Sequence, residues 1–510
     1  MNWKHGYYAD AGYTFGFYAE ASPSRLQWAA LIQGHLLPRR NFRYLDAGCG
    51  QGLNVILAAA AHPDSEFVGI DFLPEHIAHA RRLATEAGLS NVSFIEGDFV
   101  QLAEDSSALG SFDYAICHGI TTWIAPVVKT ALFRMIGQVL KPGGVFYNSY
   151  NTYPGWLSTV PFQHYVLLEQ RSKTGALALK AAIEVMNKLQ TAGPQLFTAQ
   201  PGLVNRMKAM ETQDPAYLVQ EYNNQHWHPV FVTEMIDDMA AVKLSYLGTA
   251  TLPEAFNSMA TSELKELLDS QPDPVLREQI RDYALNQSFR RDLYVKGHRR
   301  PWTGQAREMV GATRFIRNPA TQRPAAGEPY SIKAGTLELK GDGQFYGAVL
   351  ERLEQQPTGC SLLELAAAES DAQRRESLTH VLSLLLHAGY VIEQDPEAPV
   401  NNPAAVALNK ALTRAASKGA PYKYVALPRA ATALSMSETD MLMLHYHFEG
   451  VKEALWAERL PKDLAAVGRA LAKDGKPVTE PAAQQAMVTE LARKFSTTKL
   501  ALLKAWGGLR

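Results

Sequence analysis

Three glycines follow an apolar run at Gly48, Gly50 and Gly52, and the run itself ends in the acidic residue Asp46. A helical stretch begins directly after this loop. Glycines let the backbone approach a ligand closely, and the start of a helix presents free N–H groups. These residues therefore predict a nucleotide-binding edge. The spacing is GxGxG, and the dinucleotide fingerprint GxGxxG would need glycine where the chain has Leu53.

Two further acidic residues follow predicted strands. Residues 66–71, EFVGID, form a short apolar strand that ends in Asp71. A carboxylate at that place can accept hydrogen bonds from both hydroxyls of a ribose. Residues 92–95 are a third strand, and Gly97, Asp98 and Phe99 follow it closely. The acidic strand ends therefore extend the predicted binding edge beyond the glycine loop.

The chain continues to alternate between strand-like and helical stretches. We predict a fourth strand at 112–117, a helix at 130–140 and a fifth strand at 145–150. A sixth strand is predicted at 243–249, and a seventh, antiparallel edge strand at 292–296. Strands that alternate with helices predict an α/β fold with a largely parallel sheet.

The glycine loop, the ordered strands and their acidic ends resemble the motifs of class I S-adenosylmethionine (SAM) methyltransferases. The resemblance implies a Rossmann-like, seven-stranded domain with SAM as cofactor. It places the methionine and ribose parts on Asp46, Gly48, Gly50 and Asp71, and the adenine on Asp98 and Phe99. The residues expected to contact the cofactor are Asp46, Gly48, Cys49, Gly50, Asp71, Phe72, Gly97, Asp98, Phe99 and His118.

Later segments narrow this resemblance. They are CHGITTWIAP at 117–126, NSYNTYPGW at 148–156, QEYNNQHWHPVF at 220–231 and the FRRDLYVKG run from Phe289. Together they resemble bacterial methyltransferases with a methyltransferase regulatory domain, a family that includes protein-lysine methyltransferases of rickettsiae. The resemblance covers nearly the whole chain and implies methylation of a protein lysine. The N-terminal run YTFGFYAEASPSRL departs from the family pattern, which leaves the acceptor open.

Aromatic and polar residues near the ends of the fourth and fifth strands could serve such an acceptor. A lysine amine has a reference pKa of about 10.4 and must lose a proton before it attacks. A nearby base, or desolvation among aromatic rings, would favour the neutral amine. The candidates are His118, Trp123, Tyr150, Tyr153 and, from the N-terminal aromatic stretch, Tyr13. Each has a structural alternative, such as a loop hydrogen bond for His118 or a helix interface for Trp123.

Other chemistries fit less well. Cys117 lies in an Ile-Cys-His context, where a nucleophilic cysteine of cytosine methyltransferases would follow a proline. The His226–His228 triplet lacks a companion cysteine or carboxylate at metal spacing, so no metal is expected. The basic residues from Arg290 to Arg300 are interpreted as an edge strand and a solvated linker rather than as a phosphate site.

Composition limits the class of protein. A chain of 510 residues is too long to fold around a single hydrophobic core, so several domains are expected. The formal net charge of −1 gives no sign of a nucleic-acid partner. Three separate cysteines suit a reducing cytoplasm, and neither a signal peptide nor a membrane span is predicted. The oligomeric state stays open.

The chain divides into five predicted parts. Residues 1–41 form an aromatic lid and helix, and 42–300 a methyltransferase domain with a helical insertion at about 156–231. Residues 301–335, rich in Pro, Gly and Arg, are predicted as a linker. We expect a winged-helix-like domain at 336–395 and a helical C-terminal domain at 396–510.

The sequence leaves three functions open. The leading one is methylation of an amine, a protein lysine above all. The second is methylation of a small molecule at nitrogen or oxygen, and the third is a SAM-binding scaffold or sensor without catalysis. A closed apolar pocket would favour the small acceptor, whereas a cleft bordered by the C-terminal domain would favour a protein.

Overall fold

The computed structural model describes residues 5–7, 15–213, 215–257, 261–335, 337–399, 401–473 and 476–509. Within these ranges the largest unit is a seven-stranded sheet. Its strands are β1 Arg43–Ala47, β2 Glu66–Asp71, β3 Val92–Glu96, β4 Phe112–His118, β5 Leu140–Asn151, β6 Ser245–Thr249 and β7 Phe289–Val295.

The strand order is β3-β2-β1-β4-β5-β7-β6, with β1 to β5 parallel and β7 antiparallel to both of its neighbours. The predicted edge position of the seventh strand is therefore wrong, because β6 occupies the edge. β7 pairs with β5 along its whole length, from Phe289 opposite Asn151 to Val295 opposite Val145. This topology brings the carboxyl ends of β1 to β4 together at one edge, where ligands of such sheets bind.

Helices cover both faces of this sheet. The first helices are α1 Pro23–Ile32, α2 Leu53–Ala61, α3 Pro74–Glu86, α4 Phe99–Leu102 and α5 Pro126–Val139. Trp28 of α1 and Val55 of α2 belong to the core on one face, and Leu132 of α5 belongs to the core on the other. Because strands buried on both faces are apolar throughout, the central strands were visible as short apolar runs.

A group of helices is inserted after β5. They are α6 Val160–Glu169, α7 Gly175–Ala192, α8 Gln195–Ala199, α9 Pro201–Met210 and α10 Pro215–Asn223, followed by α11 Val232–Ala241. Their own apolar cluster includes Trp156 and Tyr222. Buried Glu221 of α10 accepts hydrogen bonds from Asn151 at 3.0 Å and from Trp227 at 3.3 Å. This carboxylate therefore joins the inserted helices to the end of β5.

Two helices separate β6 from β7, and the second completes a buried ion cluster. They are α12 Ser262–Ser270 and α13 Pro274–Leu285. The guanidinium of Arg290, whose side chain is 1% exposed, contacts Asp292 at 2.9 Å, Asp282 at 2.5 Å and Glu278 at 2.9 Å. Arg290 is therefore not part of a solvated basic surface. Two of its partners come from α13, which the local pattern around Arg290 could not reveal.

Residues 301–335 are structured, in contrast to the predicted linker. They contain α14 Thr303–Ala312, β8 Arg314–Arg317 and β9 Tyr330–Ala334. The elements that follow are β10 Leu337–Gly341, α15 Gly343–Glu354, β11 Cys360–Ser361, α16 Leu362–Ala368, α17 Ala372–His387 and β12 Val391–Gln394. β8 lies between β11 and β12, so this stretch supplies the central strand of a small sheet. The winged-helix interpretation of the neighbouring residues stays a prediction.

The last part of the chain packs against α2 and α3, two of the helices that cover the large sheet. Its elements are α18 Pro403–Ala416, β13 Tyr424–Leu427, β14 Thr432–Ser435, α19 Glu438–Phe448, α20 Trp456–Ala466, β15 Ala472–Lys473, β16 Lys476–Pro477, α21 Pro481–Phe495 and α22 Ala501–Ala505. The amide of Asn402 donates to the carbonyl of Ala60 in α2 at 2.8 Å. The described residues contain no helix that is long and apolar enough to cross a membrane.

Candidate active site

The glycine loop after β1 is held against the end of β2. The backbone N–H groups of Gly48 and Cys49 both donate to the carbonyl of Ile70, at 2.8 and 2.9 Å. Gly48 has a φ of 85° and Gly50 a φ of 53°, a region that favours glycine. A Cβ on Gly48 would lie 2.9 Å from the side chain of Ile120. The loop therefore exposes bare backbone where a side chain would not fit.

Asp71, at the end of β2, is buried and binds this loop directly. One of its oxygens accepts from the N–H of Gly50 at 2.9 Å. The other accepts from the N–H of Leu73 at 2.9 Å and lies 3.2 Å from Nδ1 of His76. Its carboxylate therefore orders the loop as well as lining the cleft. The predicted contact between Asp71 and a ribose stays a prediction.

A cleft runs from the glycine loop past the ends of β2 and β3, and the space in it, including its opening to solvent, is about 730 Å³. Its walls include Asp71, Phe72, Asp98, Phe99 and apolar Ile120. This is the place where the adenosine half of the cofactor was predicted. Carboxylates at one end and apolar side chains along the wall suit a polar ribose and a flat base.

The N-terminal segment covers this cleft. Nε2 of His5 lies 2.7 Å from a carboxylate oxygen of Asp98. The ring of Tyr7 meets the ring of Phe72 edge-on, with centroids 5.6 Å apart. Both His5 and Tyr7 line the cleft. Residues 5–7 therefore contact Asp98 and Phe72, two of the residues that were predicted to bind the cofactor.

A second cavity, the methionine-side cavity, also adjoins the glycine loop, and the space in it, including its opening to solvent, is about 380 Å³. The predicted cofactor residues among those that line it are Asp46, Gly48, Cys49, Gly50 and His118. Gly48 and Gly50 line both cavities, which therefore meet at the loop. This arrangement fits an elongated ligand whose middle lies on the glycines, as the predicted placement of methionine, ribose and adenine requires.

Asp46 is a buried carboxyl group in the second cavity. One of its oxygens accepts a hydrogen bond from the side-chain amide of Asn54 at 3.1 Å. Burial raises the pKa of Asp46 to about 7, and the nearby charge of Asp71 adds to this effect. A cationic group bound beside Asp46 would favour its ionised form. The cavity is therefore suited to the ammonium of a methionine moiety.

His118, at the end of β4, is enclosed by aromatic rings. Its ring stacks on that of Tyr18, with centroids 3.6 Å apart and planes 20° from parallel. Nδ1 lies 3.0 Å from the hydroxyl of Tyr147. Burial lowers the pKa of His118 to about 3, and Arg291 acts in the same direction. The imidazole is therefore neutral at physiological pH.

Three acceptor-side candidates do not line either cavity. Trp123 is 7% exposed and belongs to the apolar cluster of the inserted helices. Tyr150 is fully buried, and its hydroxyl donates to Asp292 at 2.5 Å. Tyr153 is half-buried and packs against Phe231, with ring centroids 5.2 Å apart. Side chains alternate between faces along a strand, so Tyr147 lies beside His118 and Tyr150 on the opposite face.

Gly97 and Tyr13 were also predicted as site residues. Gly97 does not line either cavity, and its N–H donates to the carbonyl of Asp71 at 3.0 Å, so it joins β3 to β2. Tyr13 lies outside the described residues. The cavities also include residues that sequence reasoning did not assign to the cofactor site: His5, Tyr7, Gly16, Tyr18, Asn54 and His76. One feature of the sequence could have indicated Asn54 as a site residue, namely its position in the first turn of the helix after the glycine loop.

Comparisons with known proteins agree with this geometry. Residues 45–144 match the family model of a methyltransferase domain, and residues 214–296 match that of a predicted methyltransferase regulatory domain. An uncharacterised protein of Synechocystis is 28% identical over 99% of this chain and 100% of its own. An uncharacterised protein of Rickettsia prowazekii is 26% identical over 57% of this chain and 52% of its own.

A solved structure shares the fold over almost the whole length. PKMT2 from Rickettsia typhi, in complex with AdoHcy, superposes with a TM-score of 0.71 at 19% identity. The match covers 97% of this chain and 100% of that one. The correspondence therefore extends beyond the seven-stranded sheet to the helices and small sheets that surround it.

The sheet order, the glycine loop and the match of residues 45–144 to the family model define a methyltransferase domain with the class I SAM-dependent fold. In particular, the chain combines this domain with a regulatory-domain segment, and the predicted resemblance to the rickettsial enzymes is confirmed. The residues present fit SAM, since bare glycine backbone joins two cavities that each hold a carboxylate. Among the described residues, no group of three or more His, Cys, Asp or Glu could hold a metal ion.

Proposed function

We propose that this methyltransferase modifies the side-chain amine of lysine in a protein. The observation that carries the proposal is the whole-chain correspondence with PKMT2 from Rickettsia typhi, which includes the parts outside the catalytic sheet. A small-molecule enzyme would need only the sheet and a lid. The inserted helices and the last hundred or so residues therefore support a large acceptor.

Each part of the cofactor has residues that would hold it. Asp46 would bind the methionine ammonium, with Asn54 orienting its carboxyl group, and Asp71 would bind the ribose. Asp98 and Phe99 would hold the adenine. When bound, SAM supplies an electrophilic methyl group on a sulfonium, so most of the catalysis can come from correct placement of the acceptor.

The proton on the acceptor amine must be removed without help from His118. A general base works best when its pKa lies near the working pH, and the pKa of His118 is about 3. The rings of Tyr18 and Tyr147 beside it are partly or fully buried, and a dry aromatic wall lowers the pKa of an entering ammonium. We infer that the amine loses its proton to solvent and binds neutral, while His118 shapes the wall.

The C-terminal region also packs against the N-terminal segment that leads to the site. Tyr422 packs against Phe15, with ring centroids 5.4 Å apart, and Tyr424 packs against Phe17 at 5.6 Å. The segment that carries Phe15 and Phe17 continues to Tyr18, which lines the methionine-side cavity. The C-terminal region is therefore joined to the N-terminal segment that lines this cavity, and this association supports an acceptor larger than a metabolite.

The proposed location is the cytoplasm, where the methyl donor and protein acceptors would meet. Cys49, Cys117 and Cys360 are all free thiols. Unpaired cysteines are usual in a reducing compartment. The location is tested by fractionating the source cell and probing each fraction with an antibody against the chain.

The experiment divides a lysate of the source cell into a dialysed protein fraction and a small-molecule filtrate. Each is incubated with the purified enzyme and methyl-labelled SAM, and D71A serves as the control with a damaged cofactor site. We expect protease-sensitive label in the protein fraction only. Label confined to the filtrate would identify a small-molecule enzyme, and no label in either fraction despite SAM binding would indicate a scaffold.

A further inference from the structure

The C-terminal region, residues 401–509, reaches the cofactor site through one buried side chain, Tyr422. Its hydroxyl lies 2.7 Å from Nε2 of His79 on α3. Nδ1 of the same ring lies 2.7 Å from the carbonyl oxygen of Gln51. Gln51 stands between Gly50 and Gly52 in the glycine loop, and it lines the methionine-side cavity. Two consecutive hydrogen bonds therefore connect the C-terminal region to the loop.

The direction of these bonds follows from their chemistry. A carbonyl oxygen can only accept, so Nδ1 of His79 carries the hydrogen that points to Gln51. Burial lowers the pKa of His79, which favours the neutral ring with a single N–H. Nε2 then accepts the hydrogen of the Tyr422 hydroxyl. The tyrosine hydroxyl thus satisfies the second ring nitrogen in the tautomer that holds the loop.

The surrounding contacts keep this arrangement in place. The ring of Phe15 meets both His79, at 5.1 Å between centroids, and Tyr422, at 5.4 Å. Asn402 donates to the carbonyl of Ala60 in α2 at 2.8 Å. The helices that follow β1 and β2, α2 and α3, are therefore both in contact with the C-terminal region.

The loop needs such an anchor because of its composition. Gly48, Gly50 and Gly52 all have positive φ, and glycine loses more conformational freedom on ordering than other residues. A ligand binds more weakly when only a fraction of the protein holds the competent conformation. An anchor on the Gln51 carbonyl raises that fraction without contacting the ligand.

We propose that Tyr422 is a positioning residue for SAM. Through His79 it orders the glycine loop, so the C-terminal region completes the cofactor site. The hydrogen bonds from Tyr422 to His79 and from His79 to Gln51 affect the binding of SAM, whichever acceptor the enzyme uses. The proposal therefore goes beyond the proposed lysine activity.

The test measures S-adenosylhomocysteine binding by calorimetry for the full-length enzyme and for Y422F. Loss of one hydrogen bond should raise Kd by about three- to tenfold. The KM for SAM should rise by the same factor, while kcat at saturating SAM stays within about twofold. Y424F is the matched control, because Tyr424 follows on the same segment and packs against Phe17 rather than His79. Its Kd should equal that of the wild type.

A double-mutant cycle separates positioning from general stability. In H79N the shorter amide can still donate to Gln51 but does not reach Tyr422. H79N should therefore raise Kd by itself, and adding Y422F to it should change Kd no further. The proposal is overturned if Y422F or H79N binds as tightly as the wild type. It is equally overturned if Y422F weakens binding by the same factor in both backgrounds, or if kcat falls with Kd.

Discussion

The carboxylate of Asp71 accepts a hydrogen bond from the backbone N–H of Gly50 at 2.9 Å. The end of β2 thereby holds the loop that follows β1, and the same carboxylate faces the cleft where the ribose was predicted. One acidic side chain thus orders the loop and lies where it was predicted to bind the ligand. Its removal should damage cofactor binding through both.

D71A should weaken S-adenosylhomocysteine binding by about 1–3 kcal/mol, the usual cost of leaving hydrogen-bonding groups unmatched. D71N keeps the size of the side chain but loses one acceptor, and it should fall between D71A and the wild type. Calorimetry measures both, with D64A as a control, since Asp64 contacts Arg40 away from the cleft. Unchanged affinity in D71A would refute the ribose assignment.

Cofactor affinity should depend on pH through Asp46. Its pKa of about 7 means that the carboxyl group is mostly neutral below pH 7 and mostly ionised above it. Binding of a cationic ammonium requires the ionised form, so Kd should rise by up to about tenfold per pH unit below pH 7 and level off above it. Calorimetry between pH 5.5 and about 8.5 covers this range.

The raised pKa of Asp46 affects the stability of the enzyme without cofactor in the opposite direction, so that stability should fall as the pH rises. Because the folded-state pKa of Asp46 is raised, its contribution to stability is complete below the unfolded value of about 3.9 and is lost as the pH rises through about 7. D46N should remove both effects, although it binds more weakly. A Kd that changes with pH equally in D46N and the wild type would show that another group is responsible.

The pH dependence of turnover tests the role of His118. If the acceptor amine binds neutral, kcat/KM for the acceptor should rise by about tenfold per pH unit from pH 7 to about 9. No bend near pH 6 to 7 is expected, since the pKa of His118 is about 3. H118N should have a profile of the same shape at a lower level. A bend near neutral pH that vanishes in H118N would mean that His118 is a base.

Trp123 was predicted to serve the acceptor, and its position in the structure now predicts a different result. The side chain is 7% exposed among the apolar residues of the inserted helices. W123A should therefore lower the free energy of unfolding by about 3–5 kcal/mol, as for other buried aromatic residues. Chemical denaturation measures this loss. Full stability together with reduced turnover would restore the acceptor role.

Much of the fold could be predicted because its signals are local. The central strands are short apolar runs, and the turns after β1 and β2 carry glycines and acidic residues at the required places. The predicted α/β class and the seven strands are confirmed, and residues 45–144 match the family model of a methyltransferase domain. Local signals were sufficient because in this fold each binding element follows directly after its own strand.

The errors share a different physical cause. Tyr150 and His118 lie at neighbouring strand ends, but the hydroxyl of Tyr150 bonds Asp292 of β7, which lies far along the chain. Likewise, Tyr422 and His79 are separated by most of the chain. Contacts of this kind depend on tertiary packing, which no spacing in the sequence encodes.

Identification of the residue that receives the methyl group is the most direct test of the proposed lysine methylation. The dialysed protein fraction is methylated with SAM that carries a deuterated methyl group, and the products are digested and analysed by mass spectrometry, with D71A as the blank. We predict deuterated methyl groups on lysine side chains, present with the wild type and absent with D71A. Deuterated methyl groups confined to other residues, or to molecules that pass through the dialysis membrane, would contradict the proposed function.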